Sequence, residues 1–152
     1  MTVAERLTEL GVALPVVTPP LAVYRPATRA GNLVFVSGQL PTVDGQVLHP
    51  GHLGANVSIE DGYAAARVCA INALAAAQAL VGSLEGMRLV RTVGYVAGTS
   101  DFTSQPAVVN GASELLRDVF GEERGIGARL ALGVSSLPLG AAVEVELLLE
   151  VL

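Results

Sequence analysis

The segment between Ser58 and Gly82 constrains the fold more than any other part of the chain. Ser58 is a favourable helix N-cap, Glu60 and Asp61 suit the positive N-terminal end of a helix, and Gly82 suits the position after the last turn. The residues from 64 to 81, AAARVCAINALAAAQALV, are small and apolar on nearly every side. Such a helix needs cover on several sides. The sequence therefore predicts a central helix that packs closely on a sheet.

This apolar segment also raises the question of a membrane span. Arg67, Asn72 and Gln78 interrupt it, and the chain has no other run of about 18 uncharged apolar residues. The chain starts with MTVAERLTEL, which lacks the basic and apolar regions of a signal peptide. We therefore expect a cytoplasmic protein with no membrane partner.

The balance of apolar and charged residues predicts self-association. The 152 residues suit one domain, but 51% are hydrophobic and 15% are charged, and the mean hydropathy is +0.56. A typical soluble domain carries about 25% charged residues. Few charges are left to cover the surface of a monomer, so we expect an obligate oligomer.

The charged residues and the cysteine count exclude several classes of function. The net charge is −5 and no basic stripe exists, which argues against nucleic acid as a partner. All nine basic residues are arginines, so Schiff-base chemistry on lysine and the P-loop lysine are excluded. Cys69 is the single cysteine, so the chain has no internal disulfide and no cysteine-based zinc site.

The order of elements predicts an α+β fold. Thr2 and Glu5 form a capping box for a helix over residues 2–10, which a proline-rich segment follows. The remaining patterns predict strands at 21–25, 33–37, 88–97, 128–135 and 142–151, helices at 58–82 and 106–120, and a short strand near 46–48. We expect one sheet with two helices on one face, in a split ferredoxin-like arrangement. Residues 1–20 are interpreted as an extension and residues 21–152 as one domain.

The two histidines and the cysteine give no clear indication of a metal site or a catalytic site. His49 and His52 flank Pro50-Gly51, so they lie in a turn as exposed loop residues or, less simply, as a metal pair without a third ligand. Cys69 lies among alanines within the long helix, where an inert buried thiol is expected. No nucleophile elbow, dinucleotide loop or Walker loop exists in the chain.

Arg129 is the most informative charged residue. It starts the apolar run Ala128–Leu132, where an arginine is costly unless it is paired or binds an anion. A hairpin of the last two strands would put Arg129 opposite Leu148, about 13 Å from Glu144. A pair with Glu144 in one hairpin is therefore not expected. Anion binding and structural pairing, for example across a subunit boundary, both remain open.

Other candidate residues lie at strand ends or on the second helix. Glu144 and Glu146 alternate with valines, so they are either solvated or, in an apolar interface, proton-handling groups with a raised pKa. Tyr24 and Ser37 each end an apolar run, where edge hydrogen bonding is the simpler interpretation. Asn110 lies on the second helix, where a solvated or capping role is the default.

Taken together, these segments resemble the Rid family of reactive intermediate deaminases, also called YjgF-like. The resemblance rests on Tyr24, the run GNLVFVSGQLP at 31–41, Ala128-Arg129, Leu137-Pro138 and VEVE at 143–146, and it covers about residues 20–152. It implies a chorismate-mutase-like fold and a homotrimer whose sheets form a central barrel, with sites between subunits. It also implies hydrolysis of small enamines and imines such as 2-aminoacrylate, without metal or organic cofactor.

The resemblance further implies roles for single residues. Arg129 would grip the substrate carboxylate and Glu144 would position or activate water. Tyr24, Ser37, Gly38 and Asn110 would line the substrate site. Ala131 stands where relatives often carry cysteine. A non-catalytic trimeric module that binds small carboxylate metabolites in a regulatory role is the alternative, and a different reaction in the same cleft is a third possibility.

Overall fold

The computed structural model describes all 152 residues. The strands are β1 Ala27–Ala30, β2 Leu33–Gln39, β3 Thr42–Val43, β4 Gln46–Val47, β5 Met87–Ala97, β6 Ala128–Val134 and β7 Val143–Val151. The helices are α1 Val3–Glu9, α2 Ile59–Val81, α3 Gln105–Phe120 and α4 Glu122–Gly125. Five strands form one mixed sheet in the order β1-β2-β7-β5-β6, and β3 and β4 form a separate small hairpin. The expected α+β fold is confirmed.

The central helix has the ends that the sequence predicts. The Ser58 hydroxyl accepts a hydrogen bond from the Asp61 N–H at 3.1 Å, and Gly82 takes a left-handed conformation with φ 88°. Helix α2 packs against α3 and the sheet. It is the one helix long and apolar enough to cross a membrane, and half of its most apolar 18-residue window is buried inside the protein. The buried half of this window therefore belongs to the core of the domain.

Close packing of α2 on α3 depends on Gly111. A Cβ at this position would overlap the backbone carbonyl oxygen of Tyr63 on α2. The side chains of Tyr63 and Glu114 close the same contact, because the tyrosine hydroxyl donates to the glutamate at 2.5 Å. The two helices thus approach at a distance that only glycine permits, and together they cover one face of the sheet.

Strand β7 occupies the centre of the sheet, between β2 and β5. Its inward side chains, Val143, Val145, Leu147 and Leu149, are buried, while those between them are partly exposed on the outer face. This is the alternation that the sequence predicts. The outer face carries no helix, and apolar side chains such as Phe35 and Leu130 remain nearly half exposed there.

The predicted hairpin between the last two strands is wrong. Strand β6 pairs in parallel with β5, with Arg129 beside Thr92, and β7 pairs with β2 and β5 instead. After Pro138–Gly140 the chain passes over β5 and enters the centre of the sheet. Arg129 therefore lies at the sheet edge, and the predicted partner Leu148 is opposite Arg91 on β5.

The predicted strand at residues 21–25 is also absent. These residues are exposed and outside the sheet, and Leu21 and Val23 are fully exposed. Residues 21–23 form bends, and the Tyr24 N–H donates to the carbonyl of Ala22 at 3.0 Å, so the chain turns locally and the first strand begins only after Pro26. A short apolar run is thus not a sufficient sign of a strand.

The N-terminal helix packs onto the rest of the fold. Its capping box is confirmed, with Thr2 and Glu5 hydrogen-bonded in both directions. Leu7 is buried in the main core, and Glu85 accepts the Val3 N–H at 2.6 Å at the start of the helix. Ser104 is the residue before α3, and its side chain makes no capping hydrogen bond.

Candidate functional site

Arg129 is held against helix α3 by two side chains. It is paired with Thr92 across the parallel β5–β6 ladder, and its side chain points to the helix-covered face. Its Nη1 donates to Oδ1 of Asn110 at 2.7 Å and to the hydroxyl of Ser113 at 3.3 Å. It forms no ion pair with a carboxylate of its own chain. The guanidinium is therefore oriented, and Nε and Nη2 remain for an anion.

A cavity of about 340 Å³ opens beside this guanidinium. It is lined by Leu89, Thr92, Asn110, Ser113, Glu114, Arg117, Gly125, Ile126, Gly127, Ala128 and Arg129. Arg117 is paired with Asp118 at 2.8 Å, which leaves Arg129 as the cavity's cation without a carboxylate partner. The volume lies at the lower end of the range for small-molecule sites, about 300–1,000 Å³.

Thr92 forms part of the cavity wall and was not singled out by the sequence analysis. Only 1% of it is exposed, and its hydroxyl has no hydrogen-bond partner within the chain. A buried hydroxyl without a partner is unusual, because such a group costs about 1–3 kcal/mol. The signal in the sequence was a polar residue at an inward position of an apolar strand.

Glu144 lies on the outer face of the sheet, against Gly38. A Cβ at Gly38 would collide with the Glu144 carboxylate, so the glycine makes room for this side chain. The pKa of Glu144 is raised above its ordinary value, first by its partial burial and then by the negative charge of Glu146. The carboxyl group is thus suited to exchange protons closer to neutral pH than an ordinary glutamate.

A tyrosine–glutamate pair lies beside Glu144. The Tyr95 hydroxyl donates to Oε1 of Glu146 at 2.5 Å, and this hydrogen bond, with burial, raises the pKa of Tyr95 to about 12. Tyr95 is also the residue directly opposite Glu144 in the β5–β7 ladder. Tyr95 was not predicted as a site residue, because the β5–β7 ladder that places it opposite Glu144 was not predicted.

Tyr24 and Gly38 line a second cavity, of about 680 Å³, with the proline-rich segment 15–21. Tyr24 is exposed, and Ser37 donates its hydroxyl proton to the carbonyl of Arg25 at 2.6 Å. Edge hydrogen bonding, the simpler interpretation of Ser37, is what the structure shows. The hydroxyl therefore fixes the segment that leads from Tyr24 into β1.

The predicted site residues form two groups in one chain. Arg129 and Asn110 lie on the helix face at the β6 edge, whereas Glu144 lies on the outer face, two strands away. Arg129, Thr92 and Leu147 lie side by side on β6, β5 and β7, and Glu144 lies three residues further along β7. Two strand spacings and three residue rises put the Cα atoms of Arg129 and Glu144 about 14 Å apart. The structure does not bring Arg129 and Glu144 together within one chain.

The histidines and the cysteine have structural contacts. His49 lies 3.6 Å from Asp61, and a ring nitrogen of His52 hydrogen-bonds the carbonyl of Ser135. No three residues of metal-binding type cluster in the chain. Cys69 is fully buried, its thiol lies 3.6 Å from the Val143 carbonyl, and burial raises its pKa well above the usual value. The predicted burial of this thiol is confirmed.

The sheet order, the parallel edge strand with its arginine and the two covering helices define an α+β protein of the chorismate-mutase-like class. The chain belongs to the YjgF family: the family model described as "YjgF/chorismate mutase-like, putative endoribonuclease" matches residues 4–151. The match includes most of the N-terminal helix α1.

Three relatives illustrate this membership. Protein TCP17 of Trypanosoma cruzi is 44% identical over 149 residues, which cover 97% of this chain and 93% of that protein. The crystal structure of Atu1372, a protein with unknown function from Agrobacterium tumefaciens, has 42% identity, a TM-score of 0.90, and coverage of 98% and 92%. A "putative endoribonuclease" from Shewanella oneidensis MR-1 has 32% identity, a TM-score of 0.93, and 99% coverage of both chains.

Proposed function

We propose that this protein is a cofactor-free deaminase that hydrolyses small enamines and imines of the 2-aminoacrylate type to a 2-keto acid and ammonia. The observation that carries the proposal is the oriented guanidinium of Arg129, which has Asn110 on one nitrogen and a small cavity beside the others. Arginine presents its N–H donors in a planar fork that matches the two oxygens of a carboxylate. The cavity therefore suits a small carboxylate-bearing substrate.

The proposed reaction is the tautomerisation of an enamine followed by hydrolysis of the imine. The enamine takes a proton at its terminal carbon and becomes the imine, water adds to the imine carbon, and the carbon–nitrogen bond breaks. For 2-aminoacrylate, one water is consumed, and pyruvate and ammonia are released. Glu144, whose raised pKa makes it a better proton donor and acceptor near neutral pH, handles the proton of the water. Arg129 holds the substrate in place for this step.

The proposal includes a homotrimer with sites between subunits. In one chain Arg129 and Asn110 are separated from Tyr24, Ser37, Gly38 and Glu144, so a complete site needs a second copy. The half-exposed Phe35 and Leu130 on the uncovered sheet face, and the fully exposed Leu21, support self-association. The expected particle contains three chains of 15.5 kDa, which sedimentation equilibrium measures directly.

A specific observation favours the alternative of a binding module. Within the chain Glu144 is about 14 Å from Arg129 and on the other face of the sheet. An assembly that does not bring a second copy's Glu144 to the Arg129 cavity would leave a carboxylate-binding pocket without a proton-handling group. Such a protein would bind small carboxylate metabolites and act through regulation.

RNA is a less suitable substrate than a small carboxylate, although the family description and the Shewanella relative carry the word endoribonuclease. The chain has a net charge of −5, and nucleic-acid binding depends on several cations that neutralise phosphates. The acidic balance agrees better with a small-molecule partner.

A coupled assay tests the deaminase. A serine dehydratase generates 2-aminoacrylate, and pyruvate formation is followed with and without this protein. We expect acceleration by the wild type, its loss in Arg129→Ala, and its retention in Arg124→Ala, which removes an exposed arginine outside the cavity.

Lack of acceleration by trimeric wild-type protein would contradict the deaminase. Calorimetric titration with pyruvate then separates the two remaining outcomes. Binding that depends on Arg129 supports the binding module, whereas the absence of binding removes the carboxylate site altogether.

A further inference from the structure

We infer that Glu114 is a second anchor in the Arg129 cavity, and that it binds the cationic nitrogen of a substrate whose carboxylate is bound by Arg129. The ligand class is a zwitterion, the iminium form of a 2-imino acid. This inference rests on the proposed function, because it takes Arg129 as the carboxylate site. It goes further in naming a residue for the other charged end of the substrate and the protonation state in which the substrate is bound.

The first argument is that two opposite charges line one cavity without pairing. Arg129 and Glu114 both belong to the cavity wall. No arginine or histidine nitrogen lies within 4.0 Å of a Glu114 oxygen, and Arg129 has no carboxylate within that distance. Arg117, the other cation of the wall, is paired with Asp118. Opposite charges attract more strongly where solvent access is reduced, so two that stay apart in one cavity are held apart.

The second argument is that separate hydrogen bonds hold the two charges in place. The guanidinium of Arg129 donates to Asn110 and to Ser113. The Glu114 carboxylate accepts the Tyr63 hydroxyl through Oε2 at 2.5 Å, so Oε1 remains for a ligand. Glu114 is also partly exposed, so a molecule in the cavity can reach its carboxylate without a movement of the fold. The cavity thus offers a cation and an anion that are both already oriented.

The third argument is the spacing of the two anchors along helix α3. Asn110 and Glu114 are four residues apart, so their side chains leave the same face of the helix with Cβ atoms about 5–6 Å apart. The guanidinium is bonded to the first of these residues, and the carboxylate belongs to the second. The two charges therefore stand beside one short stretch of helix. A small ligand that carries its carboxylate and its cationic nitrogen on neighbouring carbons suits this spacing.

The proposed reaction itself creates a cation of this kind. When the terminal carbon of 2-aminoacrylate takes a proton, the nitrogen lone pair forms the carbon–nitrogen double bond, and the nitrogen becomes a cationic iminium. Water then adds to the iminium carbon, and the carbon–nitrogen bond breaks with release of ammonia and of one proton, which balances the proton taken up. The 2-keto acid has a neutral oxygen in place of the cation. It therefore loses the attraction of Glu114 and binds less tightly than the iminium.

The experiment compares two stable acids that differ in one group. L-Alanine keeps the carboxylate, the methyl group and the cationic nitrogen of the iminium, whereas L-lactate has a neutral hydroxyl in place of the nitrogen. Calorimetric titration of the full-length wild type is expected to show about 10-fold tighter binding of alanine, the contribution of one charge-assisted hydrogen bond. Glu114→Gln keeps the side-chain shape and an oxygen for the Tyr63 hydroxyl. It is expected to lose the preference, because the affinity for alanine falls and that for lactate does not.

The controls separate this inference from the proposed function. Glu123→Gln removes the same charge at an exposed position outside the cavity and is expected to keep the preference for alanine. A preference that survives in Glu114→Gln overturns the role of Glu114. Equal affinity of the wild type for the two acids, with binding that depends on Arg129, also overturns that role and leaves the carboxylate site standing. Failure of both acids to bind the wild type overturns the role of Glu114 and the proposed function together.

Discussion

Oδ1 of Asn110 accepts a hydrogen bond from Nη1 of Arg129 at 2.7 Å, and this bond joins helix α3 to the edge strand of the sheet. The amide makes one side of the guanidinium unavailable and leaves the other side directed to the cavity. Orientation of this kind lowers the entropy that a ligand loses when it binds.

Replacement of either partner is expected to weaken carboxylate binding by different amounts. Arg129→Ala removes charge-assisted hydrogen bonds and is expected to lower the affinity for pyruvate about 10- to 100-fold. Asn110→Ala leaves the arginine but not its orientation, and a loss of about 3- to 10-fold is expected. Titration calorimetry measures both, with Asn32→Ala in the exposed β1–β2 turn as the matched control. Equal losses in Asn110→Ala and Asn32→Ala would contradict an orienting role for Asn110.

Gly38→Ala is expected to displace the Glu144 carboxylate without unfolding the protein. The added Cβ meets a flexible side chain and not backbone, and Gly38 does not have a positive φ, so the fold tolerates alanine. Activity in the coupled assay is expected to fall about 10- to 100-fold, within the range that a general acid or base contributes. Gly98→Ala, where a Cβ meets only ordinary contacts, is the control. Full activity in Gly38→Ala would show that the position of Glu144 does not matter for the reaction.

Glu144 is expected to lower the stability of the fold as the pH rises. Its pKa is raised in the folded state, so the folded chain binds the proton more tightly than the unfolded chain near and above pH 4.5. The free energy of unfolding therefore carries a penalty from Glu144 that is absent at low pH and grows until the folded group has ionised. Glu144→Gln removes the penalty, and its Tm relative to wild type is expected to rise between pH 4 and pH 8.

The expected rise is a few degrees at most, because Glu144 is only partly buried and solvent screens its charge. Thermal unfolding of both proteins across this pH range measures the difference. Glu122→Gln, at an exposed position in α4, is the control. A Tm difference for Glu144→Gln that stays constant with pH would contradict the assigned direction of the pKa shift.

Gly111→Ala is expected to destabilise the protein by about 3 kcal/mol or more. The new Cβ would overlap the backbone carbonyl of Tyr63, so α2 and α3 would have to separate. Gly62→Ala provides a matched comparison, because there the Cβ meets the ends of the Leu53 and Val108 side chains. Urea unfolding is expected to show a change within about 1 kcal/mol for Gly62→Ala, since alanine favours helix and offsets the tighter contact. Similar stabilities for the two variants would contradict this account of the helix contact.

Local signals in the sequence predicted the helices well. The ends of α2 followed from Ser58 and Gly82, and the capping box of α1 from Thr2 and Glu5, because caps depend on residues that are neighbours in sequence. The inward face of β7 followed from its alternation. These features are decided within a few residues, so no knowledge of the partner elements is required.

Strand partners were not predictable in the same way. The turn at 137–140 suggested a hairpin, but β7 can present its apolar face from any position in the sheet, and it inserts between β2 and β5. Its alternation gives no information about which strand is its neighbour. The contacts of Glu144 with Tyr95 and Gly38, and the place of Thr92 in the cavity, all depend on that order and were missed.

Because of the contact between Gly38 and Glu144, the residue types at these two positions depend on each other. A relative with any side chain at the first position must carry a displaced or shorter group at the second, because both cannot occupy the same volume. The pair thus offers a simple criterion for sorting the family. Sequences that keep both residues can hold the carboxylate in this position, whereas sequences that replace the glycine must hold it elsewhere.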